Sequence, residues 1–264
     1  MAVQHETGHA KNVANLQKLI EQVTTYTAYN PSVDNLKIEV LNVLYQNALA
    51  SLDNMKTKIN ANKNAIYIRQ DLYVELKPKT TRVVNHLDIL NLKEGTFAQV
   101  KSLNNLIQGK KITKASKTDE VSETLQILEQ NIDILASDKT KEKEEEREKK
   151  TISTSRQSYT QIAENLSKLV QLVETIETYN PNVEDLKLVK LQEYHTNLVN
   201  ATQQVNQTEA ELNTELIQRN KILYNQEIGL YTTAQNVKKY VKSVYGANSL
   251  EYTKVSKIKF KDKQ

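Results

Sequence analysis

The sequence has no cysteine and no tryptophan, and it holds only two phenylalanines, three prolines and five glycines in 264 residues. Without cysteine there is no disulfide framework, no thiolate-held zinc or iron–sulfur centre and no thiol nucleophile. So few turn-forming residues exclude a sandwich, a barrel or a doubly wound sheet, in which a turn is needed every eight to twelve residues or so. No uninterrupted apolar run approaches the roughly 18 residues that would span a bilayer. Net charge is equally spare: 36 basic residues against 32 acidic leave +4, too little for a global field that commits the chain to a polyanion. Met1 to Lys11 contains no apolar leader-like stretch. The compartment is left unknown, cytoplasmic by default, or secreted if a leader was removed ahead of Met1.

What is present is charged and aliphatic. Hydrophobic residues make up 38% and charged residues 26%, and the mean hydropathy is −0.62. Apolar groups this diluted must be gathered on narrow faces, which predicts an all-α protein of amphipathic helices. Leu16, Leu19, Ile20 and Val23 keep the i, i+3, i+4, i+7 spacing, and Leu166, Leu169, Val170 and Val173 repeat it.

That recurrence is general. Tyr29-Asn30-Pro31 returns as Tyr179-Asn180-Pro181 at an offset of 150, flanked by Asn15/Asn165, Leu19/Leu169, Leu36/Leu186, Leu41/Leu191 and Arg69/Arg219. The chain reads as a tandem duplication of an antiparallel helical bundle, with repeat 1 over 10–112, a connector over 113–156 and repeat 2 over 157–260. In each repeat, Tyr-Asn-Pro is expected to stop the first helix, and Ser32 or Asn182 to cap the second. A third helix is expected over about 61–92, kinked at Pro78, and over about 209–244 without interruption. Since no Gly or Pro separates the second helix from the third, one continuous helix is the competing reading. Gly95 and Gly246 mark turns near the end of each repeat. Copy one should be the less regular.

The connector holds Val121, Leu125, Leu128, Ile132 and Leu135 at heptad spacing, then a run from Asp138 to Lys150 in which six basic and six acidic residues cancel. It reads as a helical spacer joining the two repeats.

Candidate chemistry is thin. His5-Glu6-Thr7-Gly8-His9 matches H-E-x-x-H, but it lies at the start of the chain, contains a glycine and has no third ligand signature. His5 and His9 are therefore at most an adventitious metal site, and His86 and His195 carry no zinc-site pattern. There is no phosphate-binding glycine loop and no nucleophile-elbow motif. No cofactor and no catalytic residue are expected, and the chain reads as a non-enzyme. Two lysine clusters follow the two repeats, with Lys110, Lys111 and Lys114 in the first and Lys257, Lys259 and Lys261 in the second. They are the candidates for contact with nucleic acid or anionic lipid.

Tyr245-Gly246-Ala247-Asn248-Ser249-Leu250-Glu251-Tyr252, then Val255, Ile258 and Phe260, together with the duplicated Tyr-Asn-Pro turn, resemble a group of uncharacterised bacterial helical proteins. The resemblance covers mainly the turn and tail of each copy. It implies a helical fold and a bacterial source, and it brings no activity. The leading expectation is a structural or protein-interaction module with a protein partner or self-association. The alternatives are a membrane-active, toxin-like bundle and a polyanion-binding protein.

Overall fold

The computed structural model describes residues 6–110 and 158–262. The heptad at 121–135, the charged run at 138–150, and His5, Lys111 and Lys114 lie outside them. Among the described residues there is no strand, and the chain is all-α. Its helices are α1 (Glu6–Thr24), α2 (Ile38–Asp88), α3 (Glu94–Gln108), α4 (Tyr159–Glu174), α5 (Leu188–Tyr224), α6 (Leu230–Tyr245) and α7 (Leu250–Ser256). Short 3-10 turns, Asp34–Leu36 and Glu184–Leu186, precede α2 and α5.

The first helices end before the Tyr-Asn-Pro triplets, not at them. α1 closes with 3-10-type bonds from the Thr25 and Tyr26 amides to the Gln22 and Val23 carbonyls, and the Thr25 hydroxyl also donates to Gln22 O at 2.7 Å. The triplet then shapes the link. Pro31 is buried, and the Tyr29 hydroxyl reaches across to donate to Leu36 O at 2.7 Å. Tyr179 makes the same bond to Leu186 O at 2.7 Å. Ser32 and Asn182 do not cap: Val33 and Val183 occupy the cap positions of the 3-10 turns, without a side-chain bond.

The competing reading of the second and third helices is the observed one, since α2 runs unbroken for 51 residues and α5 for 37. The expectation that copy one is the less regular is inverted, since α2 continues through Pro78. Pro78 sits inside α2 on an exposed turn, where a missing amide donor is tolerable; Gln108 from α3 donates to the adjacent Lys77 carbonyl at 3.0 Å. The interruption falls instead in the second half, between Tyr224 and Leu230. There the Asn225 side chain accepts from the Glu227 and Ile228 amides at 2.9 and 3.0 Å, folding an Asx-type turn, and Gly229 starts α6. A Cβ on Gly229 would lie 2.4 Å from the Asn225 nitrogen and 2.5 Å from its oxygen. Gly229→Ala should therefore lower stability by ~1–3 kcal/mol in urea unfolding. Gly95 is in the first turn of α3 with open space around it, not in a terminal turn, so Gly95→Ala should raise stability by ~0.4–1 kcal/mol.

The chain forms two compact units, residues 1–72 with 200–264 and residues 73–199. Neither is one sequence copy; each takes half its residues from either side of the connector. In the first unit α1 packs on α6 and α7, and Leu16, Leu19, Leu41, Leu223, Val237 and Val255 are fully buried in one core. In the second, α3 packs on α4, over buried Leu76, Leu87, Ile107, Leu166, Leu169 and Leu198.

Candidate interaction surfaces

α1 buries an apolar stripe, but Asn12 and Asn15 sit on the same face and are themselves buried. A buried amide needs partners, and both find them in the segment after α7. Asn12 is bidentate to one residue of it: Nδ2 donates to Lys261 O at 2.8 Å, and the Lys261 amide donates to Oδ1 at 2.9 Å. Asn15 Nδ2 donates to Lys259 O at 2.6 Å. From α6, the Lys238 ammonium donates to the Ile258 carbonyl and stands over the Phe260 ring at 5.0 Å. Ile258 and Phe260 pack on the core. Residues 258–262 are thus held by their backbone and their apolar side chains, while Lys257, Lys259 and Lys261 face water.

The electrostatics of this corner are one-sided. From Leu230 to Asp262 there are seven lysines and two acids, Glu251 and Asp262. Burial, and then the neighbouring Lys259 charge, hold the Lys238 ammonium below the usual lysine range. The lysine cluster of the second repeat is therefore a surface fixed to a frame. Of the first cluster, Lys110 is exposed just beyond Gly109, which ends α3 in the left-handed conformation with φ 76°.

His9 is engaged with protein: Nδ1 and the Tyr224 hydroxyl share a hydrogen bond of 2.7 Å, and the rings meet edge to face with centroids 5.6 Å apart. At the matching positions of the second unit, Tyr159 and Tyr73 pair at 4.7 Å. The other histidine pair is similar in kind. Tyr29 meets Tyr240 at 5.3 Å in the first unit, and Tyr179 meets His86 at 5.3 Å in the second. Among the described residues, no three metal-ligating side chains come together. Nor is any described helix long and apolar enough to cross a membrane.

No protein-family model, curated protein or solved structure matches this chain.

A polar group the two units do not share is Asp185. Arg82 grips it with bonds of 2.8 and 3.2 Å, Lys79 adds one of 3.2 Å, and Lys79 also lies over the Tyr194 ring at 5.1 Å. The Arg82 hydrogen bonds, opposed by desolvation and aided by Lys79, hold the Asp185 carboxyl below the usual range. At the matching place in the first unit stands Asn35. Asn12 and Asp185 escaped the sequence reading, and Asn15 entered it only as a repeat match with Asn165. The signal for the asparagines was an amide placed on the buried stripe, at 15 and again at 165.

Proposed function

We propose that the chain is a non-enzymatic helical structural or protein-interaction module, a tandem duplication that presents long helix faces to a protein partner, foremost a second copy of itself. The observation that supports this reading is the apolar surface left along α2. Val40, Val43, Tyr67 and Ile68, all in the first unit, are between 41% and 60% exposed. Single exposed apolar residues need no explanation, but neighbours on a helix face, such as Val40 with Val43 three residues on, form rows. Light scattering on the purified chain should give a mass above that of one chain, and the Val40→Glu/Val43→Glu variant should return it to one chain. A strict monomer at native concentration counts against the reading.

The fixed lysine strip favours a second reading, binding of a polyanion. Affinity for heparin should then fall steeply with salt, as phosphate- or sulfate-bound counterions are released on binding. Neutralising Lys257, Lys259 and Lys261 together should abolish retention. Failure of the unaltered chain to bind at low salt removes this reading.

A further inference from the structure

The composition of the two units carries a consequence for how the halves of the chain relate. Residues 1–72 and 200–264 make one unit, so α1 and the start of α2 are completed by the end of α5, α6 and α7 from beyond the connector. The other unit is completed the opposite way, with the end of α2 and α3 against α4 and the start of α5. The contacts that finish each unit also correspond. His9 to Tyr224 and Tyr29 to Tyr240 join the two halves in the first unit, as Tyr159 to Tyr73 and Tyr179 to His86 do in the second. Neither half buries its apolar stripe alone. Leu19 in α1 and Val237 in α6 share one core although the connector separates them in sequence.

We infer that the two sequence copies are complementary protomers, fused end to end, and that each presents to the other a surface that the same half of a second chain can fill. Self-association of this kind is an exchange of halves: copy one of one chain closes on copy two of another and re-forms the native contacts of the described residues. The exposed rows of α2 are not needed for it. Which arrangement forms is set by effective concentration, since the partner half in the same chain competes with free chains. Exchange should accordingly be slow between folded molecules and frequent when chains fold together at high concentration.

The chain contains no cysteine, so engineered thiols report without background. Lys58 on α2 and Glu211 on α5 are suitable positions, because they form an ion pair of 2.9 Å between the halves and both side chains are partly exposed. Full-length Lys58→Cys and Glu211→Cys chains, mixed in denaturant and refolded together at high concentration, should yield a covalent dimer with a short thiol cross-linker. The yield should rise with protein concentration, and the double variant should cross-link within one chain. Independently of those variants, a protease recognition sequence placed between Lys117 and Lys150 of the full chain should allow a cut that leaves the two pieces co-eluting at the mass of the intact protein. They should also unfold in a single transition. Cut halves that part as separate folded pieces, or co-refolded chains with no cross-link between them, overturn the inference. Neither result depends on the native mass that tests the exposed helix rows.

Discussion

Leu169→Ala is expected to lower the stability of the chain by ~2–5 kcal/mol, and Leu19→Ala by a similar amount. Both side chains are buried, at 1% and 0% exposure, on the stripes of α4 and α1. Truncation removes apolar contact and leaves a cavity whose walls belong to separate helices, so collapse around it is limited. Leu19 shares its core with Leu223, Val237 and Val241, and Leu169 lies in the other unit. Losses at sites in different cores should add to within about 0.5 kcal/mol in the double variant. Urea unfolding followed by circular dichroism checks both points. A cost below about 1 kcal/mol at either site would mean that its core is not packed as described.

Alkali should lower the stability of the protein by more than lysine neutralisation alone accounts for. Burial, with Asp185 second, pushes the Tyr179 phenol up to about 12. Burial, with Glu75 and Tyr73 second, pushes Tyr194 up to about 12, and burial chiefly, with Tyr240 second, raises Tyr29 as well. A phenol whose folded value lies above its unfolded value of about 10 favours folding while it is neutral. That contribution is complete below about pH 10 and is lost as pH rises towards about 12. A rise from 10 to 12 is worth at most about 2.7 kcal/mol per group, and for half-buried rings screening by solvent reduces it to about 1 kcal/mol. Urea midpoints at about pH 9 and about pH 11.5 should therefore fall by an amount that the Tyr29→Phe/Tyr179→Phe/Tyr194→Phe variant largely abolishes. An equal fall in that variant would place the alkaline sensitivity elsewhere.

Helical periodicity in the sequence located the buried stripes well: Leu16, Leu19, Ile20 and Val23, and their partners 150 residues on, are all inside. Periodicity states which face of a helix is covered and nothing of what covers it. For that reason the interleaving of the halves was illegible, and the repeats read as self-contained bundles. Breaks were legible only where chemistry and context agreed. Pro78 is the stronger helix breaker by propensity, yet α2 continues through it because the turn is exposed and anchored by Gln108. Asn225 and Gly229 are milder signals, and their cooperation through the Asn225 side chain ends α5. Ser32 has the right chemistry for a cap but stands five residues ahead of Lys37, which precedes α2, because a 3-10 turn intervenes. The lysine strip was visible as composition. Its frame was not, since an asparagine within an apolar stripe does not announce that its partner is a backbone more than 240 residues away.

That frame separates the path of the last described residues from their identity. Asn12 and Asn15 read only amide and carbonyl groups of Lys259 and Lys261, which every residue except proline supplies in full. Side chains at 257, 259 and 261 can consequently be exchanged, for neutral or acidic ones alike, while the ribbon that carries them stays in place. Proline at 261 is the exception, as it would forfeit the bond to Asn12 Oδ1 and release the ribbon without altering a single charge elsewhere.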